Sequence, residues 1–210
     1  MGTIMTTKEQ LLDLICKFCI RDGDFTLSSG EKSNLYIDMK RVTNLPNGLL
    51  LVADQLLELM SPVIKSHSFT QIGGKAMGSI AITAAILTEG YHKGFTHLNS
   101  FYVREPKNHG TAKALEGFVD QIGDVVLVED VVSTGASVMY CVNAIEEYFD
   151  NISALGWIGK LHGVYSIVNR AKDGYDPFKK YGINFHYLFT IEELLTYRKS
   201  LRESINTKVN

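Results

Sequence analysis

Glu129 and Asp130 stand side by side at the end of an apolar run, Val125–Val128, and lead directly into Val131-Val132-Ser133-Thr134-Gly135-Ala136-Ser137. A short hydroxyl-rich turn between an apolar strand and a helix can hold a phosphate. Backbone N–H groups and the positive end of the helix dipole converge there, the hydroxyls of Ser133, Thr134 and Ser137 add donors, and Gly135 lets the backbone come close. Two carboxylates beside such a cradle should not meet the phosphate itself. They suit a ligand that also carries hydroxyls, as a ribose does, or that brings Mg²⁺. The same residues also read as a plain helix cap. The pattern lacks the Lys of a P-loop and the G-x-G-x-x-G of a dinucleotide fold, which argues against both.

Four further stretches carry candidate chemistry. Gly74-Lys75-Ala76-Met77-Gly78 is a Gly-rich strand–helix junction, suited to a ligand or to tight packing. Arg104-Glu105-Pro106-Lys107-Asn108-His109-Gly110-Thr111-Ala112-Lys113, then Leu115-Glu116-Gly117, is basic and polar with a Pro and two Gly, which predicts a mobile loop. Arg170 follows a predicted strand, and its guanidinium fork suits a carboxylate, whether of a ligand or of a nearby acid. Phe25–Lys40 reads as two short strands around a Ser-Gly turn. Cys16 and Cys19 form a lone C-x-x-C inside a helical pattern, with Leu12, Ile15 and Phe18 on related faces, and read as buried packing.

The elements that must position these residues alternate between strand and helix. Thr7 and Gln10 form a capping-box pattern before a helix over Lys8–Arg21, which Asp22-Gly23-Asp24 ends. Helices are predicted over Pro46–Lys65, Ser79–Thr88, Ala136–Tyr148 and Ile191–Arg202, the last capped by Thr190 with Glu193 and followed by a frayed tail from Glu203. Strands are predicted over Thr70–Gly74, His97–Val103, Val125–Asp130, Val164–Val168 and Phe185–Phe189. The alternation predicts an α/β fold with a central parallel sheet and ligands at its C-terminal edge. The 210 residues suit one domain with a small subdomain. A net charge of −2 gives no sign of nucleic-acid binding, no apolar run reaches membrane-spanning length, and Met1–Gln10 is too polar for a signal peptide. Three Cys, an odd count, suit a reducing cytoplasm.

Val125–Ser137 resembles the phosphoribosyl-pyrophosphate (PRPP) signature of type I phosphoribosyltransferases: an apolar strand, two acids, two variable residues, then Ser/Thr-Thr-Gly. Phe25–Lys40 resembles the N-terminal hood of orotate phosphoribosyltransferases, often Phe-x-Leu-x-Ser-Gly-x-x-Ser-x-x-Tyr-x-Asp. Arg104–Gly117 resembles their lid, commonly Arg-Lys-Glu-x-Lys-x-His-Gly. This chain is one basic residue short in the lid, so Arg104 fits either of two positions. It also has Ser28 where many members have Lys, with Lys40 as one substitute, and Asn169-Arg170 where the family often has Asp-Arg.

The resemblance covers nearly the whole chain and implies a type I phosphoribosyltransferase fold over 1–210, with the hood from about 20–45. It implies a reaction in which orotate N1 displaces pyrophosphate from C1′ of PRPP, giving orotidine 5′-monophosphate. Lys107, His109, Arg104 and Asp130 are the implied catalytic residues. Glu129 to Ser137 and the lid cations would bind PRPP, and Gly74–Gly78 would face its pyrophosphate. Arg170, Thr134, Ser29 and Tyr36 would meet orotate. Mg²⁺ would be held mainly by PRPP, with no direct protein ligand. A homodimer sharing its lids is implied. The rivals are a relative acting on another base and a PRPP-sensing regulator. Arg170 and the hood disfavour the first, because a neutral base needs no carboxylate partner, and the intact Lys107/His109 pattern disfavours the second.

Overall fold

A computed structural model of the chain describes residues 5–26, 30, 32–67, 70–105, 114–119, 123–153 and 159–209. Helix α1 (Thr7–Phe18) starts on Thr6, one residue earlier than the pattern predicts: Glu9 N donates to Thr6 Oγ1 at 3.3 Å and Thr6 N donates to Glu9 Oε2 at 2.7 Å. It also ends earlier, because Ile20 and Arg21 already belong to β1 (Ile20–Thr26), which pairs antiparallel with β2 (Lys32–Ile37). Asp22-Gly23-Asp24 is therefore an irregular stretch within a strand, not a helix stop. The buried side of α1 is Leu11, Ile15 and Cys16, with Cys19 just beyond it, whereas Phe18 is 40% exposed. Burial pushes both thiols up to about 12, which leaves them inert packing groups.

A short helix, α2 (Lys40–Thr43), leads to α3 (Pro46–Ser66), which begins with Pro at a position that needs no N–H donor. α3 is long and apolar enough to cross a membrane, yet Val52, Ala53, Leu56, Leu57, Met60 and Ile64 are all buried within the protein core. The remaining elements are β3 (Thr70–Gly73), α4 (Ile80–His92), β4 (Leu98–Val103), β5 (Leu115–Gly117), β6 (Asp124–Val132), α5 (Ala136–Ser153), β7 (Lys160–Asn169), β8 (Phe185–Thr190) and α6 (Ile191–Val209). α6 runs on past Glu203. Its predicted cap is present: Glu193 N donates to Thr190 Oγ1 at 3.2 Å.

Six strands form one sheet in the order β5-β4-β3-β6-β7-β8. It is parallel except for β5, which pairs antiparallel with β4 at one edge, so the sheet is mixed. Along β6, Val126 and Val128 join the core beneath α1 and α3, while Val125 and Leu127 join the core beneath α5. Both faces of β6 are covered, which is why it reads as a continuous apolar run. The chain goes outward from β3 to β4 and later returns to place β6 on the other side of β3. That reversal opens a crevice at the C-terminal ends of β3 and β6, where open α/β sheets bind ligands.

Candidate active site

β6 continues through the acid pair to Val132, so the turn is Ser133–Gly135, and α5 starts at Ala136. Gly135 has φ +79°, and a Cβ there would lie 2.7 Å from the Phe178 ring. Only glycine fits both the left-handed backbone and that approach. The amide ends of α5 thus point into the crevice, as the phosphate reading requires. Ala136 N also donates to Thr134 Oγ1 at 3.4 Å.

Gly74 is tightly packed and is not among the residues lining the cleft. A Cβ on it would lie 2.2 Å from Val128 O and 2.6 Å from Ser79 Cβ, so its bareness lets the following loop lie against β6. That loop is tied to β4: Val103 N donates to Gly74 O and Ala76 N to Val103 O, each at 2.8 Å. The Ala76–Met77 peptide is cis. Gly78 reaches the acids, its Cβ position being 3.5 Å from Asp130 Oδ1 and 3.6 Å from Glu129 Oε1. Lys75 Nζ lies 5.0 Å from the centroid of the Tyr140 ring and 3.7 Å from Glu105 Oε1.

Glu129 is only 9% exposed, and its Oε2 makes no hydrogen bond among the described residues. Burial holds its carboxyl well above the usual range, the negative charge of Asp130 pushes the same way, and Lys75 partly opposes them. Asp130 Oδ1 accepts from Val131 N at 2.8 Å. A buried carboxyl with an orphaned oxygen is poised for a donor or a cation, either of which would favour its ionised form.

A cleft of about 590 Å³ gathers most of the predicted residues. Lys75, Ala76, Met77 and Gly78 line one side; Glu129, Asp130, Val131, Ser133, Thr134 and Ser137 the floor; Tyr36 and Arg170 the hood side. Val132, Gly135 and Ala136 line an adjoining hollow of about 360 Å³ that shares Lys75, Glu129 and the turn. Arg170 Nη2 donates to Ser33 Oγ at 2.8 Å and to Leu35 O at 2.9 Å, so the same guanidinium clasps the hood to the sheet. Asn169 is fully buried and shapes the turn after β7, accepting from Ala171 N at 3.0 Å and donating to Tyr175 O at 3.2 Å.

Arg104 does not line the cleft. Its Nε donates to Glu116 Oε1 at 2.6 Å across the β4–β5 hairpin, at the base of the predicted lid. Lys107, His109, Ser28 and Ser29 lie outside the described residues. Sequence reasoning missed Thr26 and Ile37 in the lining, and Tyr140 beneath Lys75. Tyr140 sits one helical turn beyond Ala136, a spacing that by itself signals nothing. Lys40, considered only as a substitute cation, does line the cleft.

A hydroxyl-rich turn and paired acids at the switch point of this sheet belong to a type I phosphoribosyltransferase. The structure is similar to that of a phosphoribosyltransferase from Corynebacterium diphtheriae, with TM-score 0.71 and 24% identity, covering 90% of this chain and 99% of that one. It is also similar to Mycobacterium tuberculosis orotate phosphoribosyltransferase in complex with PRPP, with TM-score 0.67 and 23% identity over 90% and 99% of the two chains. No family model matches the chain. In sequence it is 33% identical over 193 residues to the orotate phosphoribosyltransferase of Nostoc sp., covering 91% of this chain and 86% of that protein. This chain belongs to the orotate phosphoribosyltransferase family.

Proposed function

We infer that the chain transfers the 5-phosphoribosyl group of PRPP to N1 of orotate, releasing pyrophosphate and forming orotidine 5′-monophosphate for pyrimidine nucleotide synthesis. The observation that carries this reading is the single cleft shared by the Ser133–Ser137 turn, the Glu129–Asp130 pair, the Lys75–Gly78 loop and Arg170. The turn takes the 5′-phosphate. Glu129 and Asp130 take the ribose hydroxyls and stabilise the positive charge that builds at C1′ in an oxocarbenium-like transition state. The Lys75–Gly78 loop faces the pyrophosphate. Arg170, Thr134, Ser29 and Tyr36 receive orotate, with the Arg170 fork on its carboxylate.

The departing pyrophosphate is the main electrostatic problem. Lys107 and His109, with Arg104, meet it from a closed lid that also keeps water from the activated sugar. Mg²⁺, when bound, neutralises pyrophosphate oxygens. The hard carboxylates of Glu129 and Asp130, one with a buried oxygen that has no partner among the described residues, suit a hydrated ion carried in by PRPP. The active unit is a homodimer in which each lid reaches the neighbouring site. Pyrophosphate release from PRPP and Mg²⁺ with orotate, uracil or hypoxanthine as acceptor tests the reading. Release with orotate alone is expected. Release with another base instead would favour the first rival, and no release with any of the three would favour the second.

A further inference from the structure

The N-terminal edge of the sheet, opposite the cleft, carries a second cluster. Asp124 opens β6, His162 lies near the start of β7, and His67 follows the last turn of α3. His162 Nε2 is 2.5 Å from Asp124 Oδ1, and His67 Nε2 is 3.9 Å from the same oxygen. The two rings have centroids 4.1 Å apart. All three side chains are partly exposed, at 25% for His67, 32% for Asp124 and 13% for His162.

The hydrogen bonds assign the His67 tautomer. His67 Nδ1 lies 2.7 Å from Val63 O, and a carbonyl can only accept, so Nδ1 carries the proton. Nε2, 3.9 Å from Asp124 Oδ1, is then the ring nitrogen left to act as a ligand atom. A cation placed between this nitrogen and the Asp124 carboxylate would bind both.

We propose that His67, Asp124 and His162 form a binding site for a divalent transition-metal ion of the zinc class, with water completing its coordination. The three ligand atoms lie within 4.8 Å of one another. A tetrahedral zinc site with arms of about 2.0–2.1 Å sets its ligand atoms roughly 3.3–3.4 Å apart. Of the two contacts to Asp124, the shorter must open by roughly 1 Å and the longer close by about half as much, and the two imidazole nitrogens, within 4.8 Å of each other, must close by up to roughly 1.5 Å. Two imidazoles with one carboxylate suit zinc, whereas Mg²⁺ and Ca²⁺ prefer oxygen alone. The His67–Val63 bond is the outer contact that orients a ligating imidazole. The last carbonyls of α3 also place the negative end of its dipole beside the cluster, which favours a cation. The ion would tie the end of α3 to the first residues of β6 and β7.

The test titrates chelator-treated full-length protein with zinc chloride at pH 7.5 without PRPP, by calorimetry. Saturable binding of one ion per chain is expected, with a rise in Tm. His67→Gln, at a partly exposed helix end, and His162→Ala should each weaken binding by at least about 100-fold. Cobalt(II) should give visible absorption bands of nitrogen ligation that the same variants lose. Asp130→Asn and a Cys16→Ser/Cys19→Ser double variant separate this site from the cleft acids and the buried thiols, and both should bind zinc as the parent does. Absence of saturable binding overturns the proposal. So does unchanged zinc affinity in folded His67→Gln, or loss of binding in Asp130→Asn.

Discussion

The two ends of β6 hold acids in opposite circumstances. At the C-terminal end Glu129 is buried, with an oxygen that has no partner among the described residues. At the N-terminal end Asp124 is partly exposed and engaged by His162, with His67 close by. In a parallel sheet with crossover helices, helix N-termini meet the C-terminal edge and helix C-termini meet the other. The positive end of α5 therefore faces the cleft, which suits phosphates, and the negative end of α3 faces the histidines, which suits cations. At these two ends of β6, the acid with an unsatisfied oxygen lines the cleft and the acid already engaged lies at the opposite edge.

Substitutions at the cleft should cost activity, and those at the opposite edge should not. The largest effect is expected at the lid. Lys107→Ala should lower kcat by roughly 10²–10³-fold while leaving PRPP affinity within a few-fold, because its contact forms mainly in the transition state. Steady-state kinetics with PRPP binding measured separately checks this, and unchanged turnover removes Lys107 from the mechanism. Next, Arg170→Ala should raise the orotate KM by about 10–100-fold, the loss of a charged hydrogen-bonded contact of roughly 1.5–3 kcal/mol. A fall in Tm with an unchanged KM would make Arg170 only the clasp that its bonds to Ser33 and Leu35 describe.

Gly135→Ala should destabilise the chain by about 1–2 kcal/mol through the left-handed backbone, with a further loss from contact with Phe178. Denaturant unfolding would measure it. Glu129→Gln should divide stability from function. Because the folded carboxyl titrates above its unfolded value, the native chain binds the extra proton between the two, and stability falls as pH rises through that window from about 4.5 upward. The Gln variant should lack that fall and gain Tm relative to the parent at pH 8 but not at pH 4, while turnover drops. Equal Tm profiles would show that Glu129 is not held protonated. The smallest effect is expected at the far edge, where Asp124→Asn should leave turnover within about twofold, the range of a surface change away from the site. A large loss there would erase the contrast between the two ends.

How much could be read in advance varied with how local each determinant is. Val125–Ser137 was legible because a strand covered on both faces and a turn needing Gly135 leave local signatures. Position 6 and position 7 are both Thr, and Glu9 and Gln10 both suit the third helical position, so local pattern alone could not choose the α1 register. Asp22-Gly23-Asp24 looked like a helix stop because pairing with β2, which overrides it, is a contact with a later segment. β5 hid within a polar loop because three residues carry too little periodicity to show as a strand. Glu129 and Asp130 were found as neighbours in the chain, whereas the partners of Asp124 lie far from it in sequence and meet only through strand register and the end of α3.

The sequence by itself determined the alternation of strands and helices, the hydroxyl-rich turn with its acids, and the order of the candidate site segments. Each of these rests on neighbouring residues and on the burial that their periodicity demands. Only the tertiary structure decided which acid lost its water, that Arg170 also clasps the hood, and that two distant histidines share one carboxylate. Desolvation and convergence depend on what lies across space from a residue, and a one-dimensional pattern does not carry that distance.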